Sequence, residues 1–219
     1  MSDIFREVDE EFKRDQFAQF LKKHGSLIIG VLLLVVLGVG GWRGYGYYQE
    51  RRAAEAGGRY DEAIRLASDG KAAEAKAMFE GVLKDAPTGY QQLTKFRLAS
   101  ELARSDAAGA IKAFEALAAD AGLDPVLRDL ARVRAAVLLI DTAPLAEIEQ
   151  RLQPFAAPGQ AWRLTAREGL GLAAFKAGDA EKASKYLEQI LADPEATQTV
   201  RQRAEILISM ARAGSAPTK

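Results

Sequence analysis

The chain lacks cysteine and asparagine entirely, and it has one histidine, His24, in 219 residues. Without cysteine it cannot form a disulfide, a thiolate zinc site, an iron–sulfur cluster or a thiol nucleophile. Any Ser-His-Asp triad or histidine general base would have to use His24, which stands directly before a long apolar run, where a polar flanking residue is common. The chain is therefore poor in the residue types that most enzymes use, and we expect no catalytic residue, no cofactor and no metal site.

Charge is balanced, with 30 lysine and arginine residues against 30 aspartate and glutamate residues. Proteins that bind nucleic acid usually carry a strongly basic face, so the net charge of zero argues against DNA or RNA as a partner. The acidic run at residues 9–11 has adjacent carboxylates, which do not face each other on a helix and are typical of a solvated surface. Glu147 and Glu149 are not accompanied by histidine and lack the spacing of a metal site.

A long uncharged run stands close to the beginning of the chain. Residues 25–42 carry no charge, and Arg43 is the only charged residue between Gly25 and Gln49. As a helix, this segment is about 27–30 Å long, close to the thickness of the hydrocarbon core of a bilayer. A buried helix of a soluble core is the alternative, but such helices rarely run this long without a polar face. We therefore predict a transmembrane anchor over residues 25–48, with the lipid bilayer around it.

The segment before the anchor does not have the character of a cleaved signal peptide. A signal peptide begins with a short basic region, whereas residues 1–24 include six acidic residues. Phe5, Val8 and Phe12 are at helical spacing, so an amphipathic helix on the membrane and a partner-binding helix both fit this tail. We predict an uncleaved anchor, preceded by a cytoplasmic tail at residues 1–24 and followed by a juxtamembrane linker at residues 49–58.

The orientation of the anchor is predicted from the lengths of the segments on its two sides, because charge is balanced around it. Basic residues flank both of its ends, so the count that the positive-inside rule uses is nearly balanced. A short tail inside and a long domain outside is the commoner arrangement, and we predict a cytoplasmic N-terminus on that ground. An aromatic group marks one membrane interface, and its members are Trp42, Tyr45, Tyr47 and Tyr48.

The rest of the chain has a helical composition. Alanine, leucine, glutamate, lysine and arginine dominate residues 53–219, while runs of valine, isoleucine and threonine are few. Glycine, proline and aspartate recur at intervals that divide this region into helices of roughly 10–17 residues. The region is therefore predicted to be a set of short helices.

Three stretches of this region share one pattern of small and bulky residues. In the first and the last, a small residue precedes an alanine of the next helix by 12 positions (63 to 75, 171 to 183), and in the middle one by 11 (99 to 110). Small side chains let paired helices approach closely, and a bulky side chain four residues later fills the space between neighbouring helices. The repeat-packing residues are Ala63, Ala75 and Phe79; Ala110 and Phe114; and Gly171, Ala183 and Leu187.

These stretches resemble the tetratricopeptide repeat, a helix–turn–helix unit of about 34 residues. Residues 125–154 are interpreted as a divergent third repeat, so about four repeats occupy residues 59–197. A helix at residues 198–213 suits the cap that a solenoid needs, and residues 214–219 are predicted to be a disordered tail. The predicted fold class is all-α, with a single N-terminal transmembrane helix followed by a tetratricopeptide-like solenoid of helical hairpins. An ordinary alanine-rich helical bundle is the alternative.

In a tetratricopeptide array, the first helix of each pair lines a concave groove. An aromatic side chain beside a cation in such a groove can hold a peptide. Arrays that clamp a C-terminal carboxylate rely on asparagine, which this chain lacks. The candidate groove residues are Phe96 and Arg104 in the second repeat and Leu172, Phe175 and Lys176 in the fourth. Phe96 and Phe175 have an alternative interpretation as core residues.

The whole arrangement resembles the family of the ancillary subunit of the bacterial SecYEG translocon. The resemblance covers nearly the whole chain, and its most telling part is residues 17–30, FAQFLKKHGSLIIG. There the family has aromatic residues, a basic residue and a glycine before its apolar segment. This chain has phenylalanine where the family often has tryptophan, and histidine where it often has asparagine.

The resemblance implies a single-pass protein of the bacterial inner membrane with a periplasmic repeat domain. The partners that it implies are Sec translocon subunits, a membrane-anchored periplasmic chaperone of the prolyl-isomerase type, and exported polypeptides that are passed to periplasmic folding factors. The residues themselves indicate an anchor joined to a non-enzymatic interaction module. A scaffold for another envelope complex, such as a division or secretion assembly, would have the same architecture.

Overall fold

The computed structural model describes the backbone of residues 2–214 and the side chains of residues 22, 24–27 and 29–213. Over this part of the chain the regular secondary structure is α-helical, without a strand, in agreement with the predicted all-α class. The helices are α1 (Ser2–Ser68), α2 (Ala72–Asp85), α3 (Thr88–Leu102), α4 (Ala107–Ala119), α5 (Pro125–Leu139), α6 (Leu145–Ala156), α7 (Arg163–Lys176), α8 (Ala180–Leu191) and α9 (Gln198–Gly214). Backbone contacts divide the chain into two compact units, Met1–Gly58 and Arg59–Lys219.

The first unit contains the apolar part of α1. Its large apolar side chains are exposed, with Leu34 at 72% and Leu37 at 71% exposure. Each such side chain forgoes about 1.5–3 kcal/mol that burial away from water would provide. Residues 49–58 continue the same helix. The helical segment His24–Ser68 contains a stretch long and apolar enough to cross a bilayer.

The second unit is a row of helical hairpins. Residues 59–68 of α1 pair with α2 through Ala63, Leu66, Ala75 and Phe79. The following helices pair as α3 with α4, α5 with α6 and α7 with α8, and each hairpin packs on the next. Helix α5 also packs against α7, so the first helices of the third and fourth hairpins lie side by side, and α7 packs against α9. This stacking is that of a solenoid, in which each repeat buries its apolar face against its neighbours.

The residues assigned to repeat packing are buried in these hairpins. They are Ala63, Ala75, Phe79, Ala110, Phe114, Gly171, Ala183 and Leu187. In the third hairpin, Ala136 precedes Ile148 by 12 positions, and Leu152 follows four residues later. All three are fully buried. The third hairpin therefore keeps the spacing and has isoleucine at the position where the other three have alanine.

Glycine ends the first helix of the first and fourth hairpins. Gly70 and Gly178 have φ angles of 78° and 80°, in the left-handed region that a residue with a Cβ atom avoids. After Gly178, the backbone N–H of Asp179 donates to the carbonyl oxygen of Ala174 at 2.9 Å. This bond is the 6→1 bond of a Schellman motif, and it turns the chain into α8.

Replacing Gly178 with alanine is expected to lower the free energy of unfolding by about 1–2 kcal/mol, because the left-handed backbone disfavours a Cβ atom. No heavy atom lies within 4 Å of the added Cβ, so the cost comes from the backbone alone. Urea denaturation of the full chain in detergent micelles, followed by circular dichroism, measures it. Gly178→Asn is the matched variant and should lose less, since asparagine tolerates this region. Equal losses for the two variants would contradict the backbone argument.

Candidate protein-interaction surface

Two of the predicted groove residues belong to the second hairpin. Phe96, on α3, is half-buried, and its ring centroid lies 6.0 Å from that of Phe114. Arg104 follows the end of α3, with 75% of its side chain exposed and Nη1 at 3.5 Å from Oε2 of Glu101. The structure therefore places the aromatic ring against the core of its own hairpin and the cation at the surface.

The other three predicted groove residues lie on α7. Leu172 is 38% exposed. Phe175 is half-buried on a cluster of small residues from α7, α8 and α9. Lys176 donates from Nζ to the backbone oxygen of Asp141 at 2.8 Å and to its carboxylate at 2.7 Å. Leu172 thus offers surface to a partner, while Phe175 and Lys176 also hold neighbouring repeats together.

A cavity of about 610 Å³ lies between the end of α1, the start of α2 and the end of α3. Ala75 and Phe79 line its buried part, and Lys76, Glu101 and Arg104 bring charged groups of both signs to it. A cavity with this mixed lining suits a polar segment of a partner.

A second depression of about 420 Å³ lies between α2 and α4, with α3 as its floor, and is called the α2–α4 groove. Its apolar lining residues are Leu83, Leu98, Ala99, Leu102, Ala113, Ala116 and Leu117. The charged residues of the lining are Lys95 and Asp120, which pair with each other at 3.2 Å. This groove is the more apolar of the two depressions.

Side chains about one repeat apart connect successive hairpins. The indole Nε1 of Trp162 donates to the carbonyl oxygen of Val126 at 2.8 Å. Arg203 of α9 forks onto Glu168 of α7 with two bonds of 2.8 Å. Arg203 is half-exposed, so this pair is worth about 0–1 kcal/mol. Such pairs fix the register between hairpins more than they stabilise the fold.

A buried carboxylate joins α7, α8 and α9. Asp193, which is 7% exposed, accepts from Nε of Arg163 at 2.6 Å and from its Nη2 at 2.9 Å. Arg167, which is 5% exposed, adds a bond from Nη1 at 2.8 Å. Arg201 of α9 donates to the backbone oxygen of Asp193 at 2.9 Å. Three arginines from two helices therefore converge on one residue, which we call the Asp193 network.

The hydrogen bonds of this network keep its groups charged. The guanidinium of Arg163 holds the pKa of Asp193 well below its ordinary value of 3.8, against the opposing effect of burial. The backbone N–H of Glu195 and the side chain of Arg167 lower the pKa further. In turn, Asp193 and then Glu195 raise the pKa of Arg163. Buried polar groups that are satisfied in this way specify the packing of helices.

The Asp193 network was not predicted from the sequence. Asp193 stands before Pro194, a pair of residues typical of the end of a helix, and its partners Arg163 and Arg167 lie 30 and 26 positions earlier. No local pattern links residues that far apart. One available signal was the spacing of Arg163 and Arg167, four residues apart at the start of a helix that is otherwise rich in alanine, leucine and glycine.

Comparison with known proteins places the chain in a family. The tetratricopeptide repeat-like domain family matches residues 18–210, and the chain therefore belongs to it. The match begins before the apolar stretch of α1 and ends within α9. Neither the curated proteins nor the solved structures give a match to this chain. With the stacked hairpins, the family confirms the predicted tetratricopeptide-like solenoid.

Family membership also indicates the kind of function. Tetratricopeptide-like repeat domains are typically non-catalytic modules that bind other proteins. The chain is accordingly a protein-interaction scaffold with protein partners, and α1 contains a stretch long and apolar enough to cross a bilayer.

Proposed function

We propose that the chain is a single-pass protein of the bacterial inner membrane with a cytoplasmic N-terminus and a periplasmic repeat domain. It associates with the Sec translocon and passes exported chains to periplasmic chaperones, including a membrane-anchored one. The observation that carries this proposal is the joint occurrence, within one family match at residues 18–210, of an exposed apolar helix and a repeat domain.

The anchor is supported by what the helix exposes. Trp42 is 84% exposed, and Tyr45, Tyr47 and Tyr48 are exposed beside it. Amphipathic rings of this kind concentrate at the headgroup level of membranes. Arg52 stacks over the ring of Tyr48, with its guanidinium carbon 5.8 Å from the ring centroid. An apolar stretch that ends in such a belt fits a helix that leaves the bilayer at this point.

The choice of the translocon as partner depends on the sequence before the anchor. Residues 17–30 resemble the corresponding segment of the ancillary translocon subunits, with aromatic residues, lysines and a glycine before the apolar run. The same architecture would serve a scaffold of a division or secretion assembly. The partners that co-purify with the chain distinguish these two functions.

The first expected result concerns the membrane. Full-length protein should stay in the membrane pellet after extraction at alkaline pH, because removing the apolar stretch from lipid costs about 1.5–3 kcal/mol for each large side chain. A variant that lacks residues 1–52, exported by a cleavable signal peptide, should appear in the soluble fraction. Quantitative immunoblotting of the two fractions measures both. Release of the full-length protein at alkaline pH would contradict the anchor.

The second expected result concerns the partners. Purification of the tagged full-length protein in mild detergent, followed by mass spectrometry, should recover translocon subunits and a periplasmic chaperone. A matched variant replaces residues 25–48 with an unrelated apolar span of equal length, which keeps the membrane location. Loss of the translocon in that variant assigns its docking to the anchor. Recovery of division or secretion components without the translocon would contradict the Sec assignment.

A further inference from the structure

The second helices of successive hairpins, α4, α6 and α8, are connected by side chains that occupy one equivalent position of the repeat. Arg151 of α6 reaches Glu115 of α4, with Nη1 at 3.2 Å from Oε1. Tyr186 of α8 donates from its hydroxyl to Oε1 of Glu149 on α6 at 3.2 Å. Arg151 and Tyr186 stand three residues after Ile148 and after the equivalent alanine of the fourth hairpin. The two bridges therefore arise from the same position of the repeat.

In the second hairpin, the residue at this position is too short to make the bridge. Three residues after Ala110, the equivalent position is Ala113, whose methyl group lines the α2–α4 groove. In the third hairpin, Arg151 itself lines the smaller depression of about 290 Å³ beside Glu115 and Phe155. The α2–α4 groove is open because alanine replaces the long side chain that spans the gap elsewhere.

The lining of the α2–α4 groove determines the charge of what it binds. Its floor includes Leu98 and Ala99, and Leu102 at its side is 37% exposed. Lys95 and Asp120 pair with each other, so neither sign of charge is in excess. A charged group brought into this groove would lose water without gaining a counter-ion. By charge complementarity, the occupant presents an uncharged, apolar face.

The same lining determines the backbone of the occupant. An extended peptide would bring unpaired N–H and C=O groups against the groove, and these groups need hydrogen-bond partners. The walls are helices whose own backbone groups are paired, and the polar side chains of the lining already bind each other. A helix pairs its own backbone groups and needs no such partner. The lining residues of α3, from Lys95 to Leu102, span about 10 Å, enough for two turns of a helix, and Leu83 supplies the lining on α2.

We propose that the α2–α4 groove binds one helix of a partner protein, whose docking face is uncharged and carries leucine, isoleucine or methionine at positions i, i+4 and i+7. This is helix-in-groove recognition, in which an amphipathic helix lays its apolar face between two helices. The inference rests on the proposed role of the chain in binding proteins, and it does not depend on which membrane assembly the anchor joins.

The test uses the full-length chain in lipid nanodiscs, since free detergent would itself fill an apolar groove. The probe is a fluorescent synthetic peptide of about 18 residues with leucines at i, i+4, i+7 and i+11 and balanced charges on its other face. A control peptide has one central leucine replaced by glutamate. Fluorescence anisotropy measures the affinity of each peptide.

Two variants of α4 separate the groove from its surroundings. Ala116→Arg places a charged side chain in the groove at an exposed position, while Ala119→Arg adds the same charge to an exposed position outside the lining. We expect Ala116→Arg to weaken peptide binding by about tenfold or more and Ala119→Arg to leave it within about twofold, since tenfold corresponds to about 1.4 kcal/mol. Circular dichroism of both variants reports whether the fold is kept.

Three results would overturn the proposal: no binding of the leucine peptide at about 1 mM, equal binding by the two arginine variants, or equal binding of the glutamate peptide. A fourth overturning result could come from analytical ultracentrifugation of the chain without peptide, which measures self-association. Self-association that Ala116→Arg abolishes would make a second copy of this chain the occupant. Peptide binding without recovery of translocon subunits would support helix binding by the groove and contradict the Sec assignment. Recovery of translocon subunits without peptide binding would contradict helix binding by the groove and leave the Sec assignment supported.

Discussion

Replacing Asp193 with alanine is expected to lower the free energy of unfolding by about 3–5 kcal/mol, the range for breaking a buried ion pair by removing one partner. Arg167 is 5% exposed and would lose its carboxylate while remaining inside the fold. Arg163 would lose both bonds that it forks onto Asp193. Urea denaturation of the full chain in detergent micelles, followed by circular dichroism, measures the change.

Asp141→Ala is the matched control for this prediction. Asp141 also pairs with a cation of another repeat, Lys176, at 2.7 Å, but 88% of its side chain is exposed. Exposed pairs contribute about 0–1 kcal/mol, so its loss should be small. Equal effects of Asp193→Ala and Asp141→Ala would show that burial of the Asp193 network does not matter to the stability of the fold.

The stabilisation by Asp193 is also expected to depend on pH. Its pKa is lowered in the folded chain, so the folded state holds this proton less tightly than the unfolded state. The contribution is therefore complete above the ordinary value of 3.8 and declines as the pH falls below it. The difference in unfolding free energy between the unchanged chain and Asp193→Ala should narrow when urea titrations are repeated in this acidic range. A difference that stays constant there would contradict the assignment.

Gly171 and Leu187 are expected to show strong energetic coupling. A Cβ atom at Gly171 would lie 2.6 Å from Cγ of Leu187, which is fully buried. Gly171→Ala should therefore cost about 1–3 kcal/mol through overpacking. Leu187→Ala should cost about 2–5 kcal/mol through the cavity that it leaves. In the double variant the alanine at 171 has room, so the total loss should be smaller than the sum of the two single losses.

Gly81→Ala provides the control for this cycle. Gly81 lies inside α2, and no heavy atom lies within 4 Å of an added Cβ atom. Alanine there should raise the free energy of unfolding by about 0.5–1 kcal/mol, because glycine is the poorer helix former. Urea denaturation of all four variants gives the comparison. Additive losses at Gly171 and Leu187 would contradict the close approach of α7 and α8.

The repeat architecture was predictable because its signal is local. A small residue and an alanine 12 positions apart, with a bulky residue four positions later, identify a helical hairpin, and Gly171, Ala183 and Leu187 meet in α7 and α8. The transmembrane anchor was predicted from the number of consecutive uncharged residues before residue 43. Both signals depend on residues close together in sequence, where helix geometry fixes which side chains meet.

The candidate surface was less predictable because it depends on contacts between repeats. The position of Lys176 in the repeat assigned it to a groove. The repeat pattern does not predict that Lys176 pairs with Asp141, which is 35 positions away. The α2–α4 groove is open because Ala113 lacks the long side chain that Arg151 and Tyr186 have at the equivalent position. That comparison requires the equivalence of Ile148 with the alanines of the other hairpins, which depends on how the hairpins stack and on which residues they bury.

Site-specific photo-crosslinking in living cells tests the central proposal, that a membrane-anchored repeat domain binds proteins of the export machinery. A photoreactive residue is placed at position 116 or at position 119 of the full-length chain, and the adducts are identified by mass spectrometry. We expect position 116 to give one discrete adduct with a translocon subunit or a periplasmic chaperone, and position 119 to give little of it. Identical adducts at both positions, or adducts with components of another envelope assembly alone, would contradict the account.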